Sequence, residues 1–293
     1  MFIATLIASQ RLTAGDISAA ADRLAGAGCA PGEAQWIDEG EAADIPFASD
    51  PSAAREALEG AFPATDVVVQ PAENREKKLL IADMDSTMIT VECIDELADY
   101  AGIKAQIAEV TERAMRGELD FAEALDARVA LLKGLDEGAI DRCLAERVRL
   151  SPGAETLVKT MRARGATAVL VSGGFTRFAG PVGGMLGFNR VVANELLVDG
   201  GALTGEVAKP IVDSSTKETT LRETAAQLGL DFAETLAVGD GANDLAMIKL
   251  AGLGAAYRAK PIVAAAAGAR IDHAQLTALL HAQGIARKDW VSI

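Results

Sequence analysis

The stretch "KKLLIADMDSTMITVE" (77–92) runs an apolar segment, Leu79 to Ala82, straight into two carboxylates, Asp83 and Asp85, with one methionine between them. A short apolar run bounded by polar residues predicts a buried strand. Residues two apart on a strand point the same way, so both acids share one small space. Like charges that close repel unless a cation, a shared proton or a phosphoryl group stabilises them.

Outward from that strand, the pattern changes twice. Downstream, roughly 91–150 reads as helix throughout, with charges on one face and Leu, Ile, Val and Ala on the other. Strand and helix signals then alternate again. "ATAVLVSGG" (166–174) is a strand feeding a glycine turn, "ETLAVGDGANDLAMI" (234–248) is a strand, loop and helix, and "AGLGAAYR" (251–258) is a further strand. Such alternation predicts an α/β fold with a parallel sheet flanked by helices. The helical block is then a cap inserted beside the site. Upstream, "FIATLIAS" (2–9), "TAGDISAAADRLAGAG" (13–28), "EAQWIDEG" (33–40), "ADIPF" (43–47), "SDPSAAREALEGAF" (49–62) and "TDVVVQP" (65–71) give the order βαββαβ. Residues 1–72 form a small α+β, ferredoxin-like unit in this reading. The charged "PAENREKK" (71–78) marks the boundary, and residues 73–293 make the larger domain.

Composition narrows the function. A net charge of −14 and a pI near 4.7 argue against nucleic acid and anionic membranes as partners. A small anionic substrate stays possible if a few cations reverse the field locally. Cys29, Cys93 and Cys143 are far apart and odd in number, which predicts reduced thiols in a cytoplasmic protein. "MFIATLIAS" lacks a basic leader and reads as a first strand, and no apolar run is long enough for a membrane span. His273 and His281, eight apart, are expected on one helix in a structural or exposed role.

Ligands of open α/β sheets bind at the carboxyl ends of the strands. Three strand ends here are polar: Asp83-Met-Asp85-Ser-Thr87, Ser172-Gly-Gly174, and Gly239-Asp-Gly-Ala-Asn-Asp244. Oxygen-only ligands suit Mg²⁺, and turn glycines let backbone N–H groups close around phosphate oxygens. One aspartate can attack phosphorus while its neighbour protonates the leaving oxygen. Two acids with two roles would explain the opening stretch.

These motifs, with Lys217 in "TKETTL" (216–221), resemble the haloacid dehalogenase-like phosphatases, and within them the branch that hydrolyses phosphoserine. The resemblance covers about residues 77–285, and residues 1–72 resemble the ACT-like domain that often precedes such a catalytic domain. It implies a Rossmann-like sheet and Mg²⁺-dependent hydrolysis of O-phospho-L-serine to L-serine, the last step of serine synthesis. Asp83 is the implied nucleophile and a metal ligand. Asp85 is the acid/base, with its backbone carbonyl on the metal, and Asp240 is the third ligand. Ser172, Gly173 and Lys217 would hold phosphate, with Asn243 nearby and Asp244 close to the metal. Glu92 would receive the substrate ammonium and Arg128 its carboxylate, with Met115 and Phe121 as an apolar wall. Lys209 rivals Lys217, but Pro210 follows it directly. A homodimer is compatible with this reading. Transfer of the phosphoryl group to another alcohol such as homoserine, or an amino-acid sensor with an inert α/β domain, are the competing functions.

Overall fold

The computed structural model describes residues 1–116 and 118–292, without the side chain of Met115. That side chain, expected in the cap wall, lies outside the described residues.

Strand β5 (Leu79–Ala82) is fully buried along its length. It lies between β10 (Thr235–Gly239) and β6 (Thr167–Phe175), parallel to both. Covered on both faces, such a strand reads as an unbroken apolar run and not as an alternation. Beyond β6 lies β7 (Arg190–Asn194), and beyond β10 lie β11 (Leu253–Tyr257) and β12 (Ala269–Ile271), all parallel. Helices α7 (Ala154–Ala163), α8 (Thr176–Leu186), α9 (Ser214–Leu228), α10 (Leu245–Leu250) and α11 (Pro261–Ala266) join these strands, and α12 (Ala278–Ala282) follows β12. The α/β expectation holds. The core splits across the sheet, with Leu80, Ala82, Leu170 and Leu236 on one side and Leu79, Ile81, Val169 and Ala237 on the other.

The insertion after β5 is helical, as the sequence predicts: α3 (Cys93–Tyr100), α4 (Lys104–Met115), α5 (Phe121–Ala130) and α6 (Gly138–Arg147). A hairpin that the sequence reading passed over, β8 (Leu196–Asp199) with β9 (Ala202–Val207), is bonded to it. Gly134 N–H donates to the Leu203 carbonyl and Leu203 N–H to that of Leu135, both at 2.8 Å. The cap is therefore helices plus hairpin.

Residues 2–71 form β1 (Phe2–Ala8), α1 (Ala14–Gly26), β2 (Gln35–Asp38), β3 (Ala42–Phe47), α2 (Pro51–Leu58) and β4 (Thr65–Pro71). The expected order is present, and all pairings within the unit are antiparallel, in spatial order β2-β3-β1-β4. One face packs on α1 and α2 through Leu6, Ile45 and Leu24, while Ile7, Ala42 and Val68 join the larger core. An antiparallel pairing of Val68 with Ala269 links β4 to β12, so a single ten-stranded sheet runs through both units.

Three further contacts fasten the seam. Arg75 bridges the Asp44 carboxylate, the Thr5 hydroxyl and the Ala282 carbonyl. Asp66 accepts N–H bonds from Asp272, His273 and Ala274. His281 lies 2.8 Å from Asp38 through Nε2. The two histidines do not share a helix: His273 is exposed on a loop, and only the buried His281 is on α12. Residues 272–274 instead turn three amides toward Asp66, which no periodic pattern encodes. Among the described residues no helix is long and apolar enough to cross a membrane.

Candidate active site

The carboxyl ends of β5, β6 and β10 meet under the cap around a cavity of about 560 Å³. Asp83 follows β5 directly. The chain then coils through residues 84–88, with Ser86 in the left-handed region at φ 56°. A serine held there is strained, a cost that recurs where chemistry fixes the backbone. Past the bend, the Asp85 side chain is held at both of its oxygens. Its Oδ1 accepts the Cys93 N–H at 2.8 Å and its Oδ2 the Ser172 hydroxyl at 3.1 Å. The Asp85 carboxylate is thus committed to protein donors, which leaves the backbone carbonyl as its route to a metal.

Lys217 is carried on α9, whose start is fixed by a capping box between Asp213 and Thr216. The lysine is completely buried and pairs with Asp83 and, at 2.6 Å, with Asp244. Asp244 uses its other oxygen for the backbone N–H groups of Asp240 and Gly241, at 3.1 and 3.0 Å. Asp240 accepts the Thr87 hydroxyl at 3.0 Å. Carboxylate oxygens of Asp83, Asp240 and Asp244 all lie within 4.8 Å of one another. Asp244, bonded on both oxygens, acts as a bracket for Lys217, while Asp83 and Asp240 each keep an oxygen for the cavity.

The electrostatics follow from crowding in a dry place. Burial pushes Asp83 well above the usual carboxylate range; Lys217 opposes this, and the charges of Asp244 and Asp85 add to it. Burial likewise raises Asp85 and Asp240. Burial alone would discharge Lys217, but Asp83 and Asp244 outweigh it and raise its pKa. Three clustered carboxylates thus face one ammonium, and a phosphate dianion entering here needs another cation. The donor set, oxygen only and partly unbonded, fits a hard divalent ion such as Mg²⁺.

On the β6 side, Gly173 and Gly174 line the cavity. A Cβ on Gly174 would sit 2.8 Å from Asp85 Oδ2 and displace it, and one on Gly173 would press on the Phe121 ring at 3.2 Å. Phe121 opens α5 and rests on the glycine turn, so cap and core touch here. Ser172 and Lys217 have no exposed surface and lie beneath this floor. Asn243 lines the cavity beside Asp240.

The cap side is less bonded. Glu92 precedes α3 and accepts the Ser86 hydroxyl at 2.6 Å. Enclosure in the cleft, then the nearby Asp85 charge, raises its pKa to about 7. Arg128 lies in the last turn of α5 and, among the described residues, bonds only the Ala124 carbonyl, through Nε, at 3.2 Å. Burial lowers its pKa, while Asp95 and Glu92 pull the other way. The geometry brings together Asp83, Asp85, Glu92, Arg128, Ser172, Gly173, Lys217, Asp240 and Asn243. Lys209 is elsewhere, paired with Asp126 on the cap surface. Sequence reasoning missed Lys260, which lines the cavity after a turn, and Thr87, the hydroxyl partner of Asp240. Thr87 sat inside the quoted motif, but Lys260 had no pattern to mark it.

Residues 80–249 match the model of the haloacid dehalogenase-like hydrolase family. The chain belongs to that family. It is 44% identical over 235 residues to a phosphoserine phosphatase of Streptomyces coelicolor, a match taking in 80% of this chain and 57% of that protein. The chain spans between half and two thirds of the length of the first curated relatives it matches. Among solved structures, a HAD family hydrolase from Salmonella enterica serovar Typhi is similar over 96% of this chain and 98% of that one, at TM-score 0.83 and 28% identity. A phospho-aspartyl intermediate analogue of phosphoserine phosphatase is similar over 70% of this chain and 98% of its own, at TM-score 0.65 and 37% identity.

Proposed function

We propose that the protein is a Mg²⁺-dependent phosphoserine phosphatase, hydrolysing O-phospho-L-serine to L-serine and phosphate through an aspartyl-phosphate. The observation that carries this reading is the two-ended cavity. A floor of Asp83, Gly173 and Gly174 faces a cap that offers one cation, Arg128, and two anions, Glu92 and Asp95. A phosphorylated amino acid presents a dianion at one end and a carboxylate and an ammonium at the other. Arg128 can take the carboxylate bidentately, and Glu92 the ammonium.

The chain's own groups then account for the chemistry. The cavity-facing oxygen of Asp83 attacks phosphorus, and the bond to the serine oxygen breaks as Asp85 gives that oxygen a proton. Water next attacks the aspartyl-phosphate and gives its proton to Asp85, which regenerates both carboxyl groups and frees phosphate. The upward shift that burial gives Asp85 favours its holding a proton. Lys217 keeps Asp83 oriented and partly neutralised throughout. Mg²⁺, held by Asp83, Asp240 and the Asp85 carbonyl, would supply the charge that draws the dianion in and offsets charge building on its oxygens.

The similarity to proteins named phosphoserine phosphatase supports the same substrate. The proposal takes residues 1–72 as an ACT-like module, residues 73–293 as the phosphatase domain, and the protein as cytoplasmic. A phosphate-release screen over phosphorylated amino acids and sugar phosphates tests it. Phosphoserine should be turned over far faster than the rest, and EDTA should abolish turnover until Mg²⁺ is restored. Full activity in EDTA after exhaustive dialysis would sink the metal, and a better sugar-phosphate substrate would sink the specificity. Phosphate release falling below serine release on adding homoserine would point to transfer.

A further inference from the structure

The ladder between β6 and β7 breaks at the site. Val169, Leu170 and Val171 pair in step with Arg190, Val191 and Val192, and pairing resumes only at Phe175 with Asn194. Residues 172–174 are thus set against Ala193 alone and bulge from the sheet, with Gly173 and Gly174 on the cavity. A bulge strips backbone groups of their ladder partners, and buried ones must find others.

Here one peptide is held at both ends. The Gly173 carbonyl accepts the Asn194 side-chain amide at 2.8 Å, and the Gly174 N–H donates to Ser172 Oγ, also at 2.8 Å. That hydroxyl in turn donates to Asp85 Oδ2. The same asparagine reaches a third element. Its Oδ1 accepts the Val212 N–H at 2.7 Å, and its Nδ2 donates to the Val212 carbonyl at 3.2 Å. Val212 precedes Asp213, whose side chain caps the helix that carries Lys217. Asn194 is only 2% exposed, and these contacts use its acceptor and its amide group.

We infer that Asn194 is a positioning residue for catalysis. It sets the Gly173–Gly174 bulge and the Lys217 helix in one register, and through Ser172 it fixes the direction of Asp85. Its side chain does the work of the missing ladder bonds, and it stands where the core strand β7 turns into the hairpin of the cap.

An asparagine that only supported the fold would lower stability and leave turnover of the folded fraction unchanged. A positioning residue lowers kcat with little change in KM, because the misplaced groups matter most in the transition state. The test uses Asn194→Ala, which removes every contact, and Asn194→Asp, which keeps the shape and sets an anion against two carbonyls. Each should lose about 10²-fold in kcat, the scale of an ångström-sized misplacement. The loss should be equal for phosphoserine and for a small aryl phosphate, because both use the same floor. Amide exchange at Gly174 should quicken in the same variants.

Folded variants with faster Gly174 exchange and unchanged kcat would overturn the inference, as would unchanged exchange. If neither variant folds, the wild-type protein decides: its Gly174 amide and Asn194 side-chain protons should exchange as slowly as those of β5, and fast exchange overturns the inference. The rate readout rests on the proposed hydrolase activity, but the exchange readout does not. A wild-type protein without turnover would sink that activity and the catalytic role of Asn194 with it, while slow exchange would still show that Asn194 holds the bulge.

Discussion

The floor and the roof of the cavity are built on opposite principles. On the floor, Lys217, Asp244 and Ser172 have no exposed surface, and each is bonded to other groups of the site. On the roof, Arg128 spends one N–H on its own helix, Glu92 meets one hydroxyl, and Phe121 is 38% exposed. Fully bonded groups cannot reorganise at the moment of reaction, which suits charge stabilisation. Groups with spare hydrogen-bonding capacity are ready to meet a ligand. The floor is prepared for the phosphoryl group common to all monoesters, and the roof for whatever distinguishes one monoester from another.

The largest expected effects lie on the floor and ignore the identity of the ester. Asp83→Asn should abolish turnover of phosphoserine and of a small aryl phosphate alike, with no phosphoenzyme trapped on acid quench. Recovery of a normal acyl-phosphate from that variant would move the nucleophile elsewhere. Asp85→Asn should leave the nucleophile in place and lose proton transfer, a cost of about 10²–10⁴-fold in kcat. In the step that phosphorylates Asp83 the loss should shrink with an aryl ester, whose leaving group needs no proton. An equal loss on both esters in that step would assign Asp85 to placement of the floor instead.

The roof should separate substrates. Arg128→Ala should cost phosphoserine turnover about two orders of magnitude, as losing one partner of a desolvated charge pair costs roughly 2–5 kcal/mol. A small aryl phosphate, which lacks the carboxylate, should change far less. Matched losses would make Arg128 part of the floor's support and erase the contrast between the two sides.

How far each side could be read beforehand follows the same division. The floor was legible because its chemistry is compressed into contiguous motifs at strand ends: Asp83 to Thr87, Ser172 to Gly174, Gly239 to Asp244. Helix α9 was harder, yet Lys217 was still placed by its motif against the rival Lys209. Asn194 was not legible. Its partners lie 21 and 18 residues away in sequence, at Gly173 and Val212, and its role exists only because a bulge opens opposite it. The hairpin β8–β9 was readable in principle, since Asp199-Gly-Gly201 between apolar runs is a hairpin signal. The seam with residues 2–71 was not, because Asp66 and Arg75 gain their meaning from backbone groups near 272–274 and 282.

A pH titration sharpens the contrast at smaller scale. Glu92 has its pKa raised to about 7, so it is charged above that pH and neutral below it. Only the charged form attracts the substrate ammonium. KM for phosphoserine should therefore rise as pH falls through 7, by up to about tenfold per unit, since one proton competes with one ligand. Phosphate protonation near pH 6 is common to all esters, so the aryl phosphate serves as control. Glu92→Gln should flatten the difference between the two profiles. Two parallel profiles in the wild-type protein would remove Glu92 from the ammonium site.

The smallest effect should come from the lysine that resembles Lys217 only in name. Lys209 reaches Asp126 on α5 at 2.8 Å, a contact between core loop and cap, with both side chains about half exposed. Water screens such a pair, and the ordering of two long side chains offsets most of its attraction, so it contributes at most about 1 kcal/mol. Lys217, by contrast, is a buried ammonium whose removal leaves Asp83 and Asp244 facing each other without a cation. Lys209→Ala should thus change kcat and KM by less than about twofold and thermal stability marginally, with any effect fading in salt. Lys217→Ala should abolish activity. If Lys209→Ala instead raised KM for phosphoserine strongly and left the aryl phosphate untouched, the surface pair would be holding the cap over Arg128. The roof would then depend on a latch, and its spare bonding capacity would belong to the closed form alone.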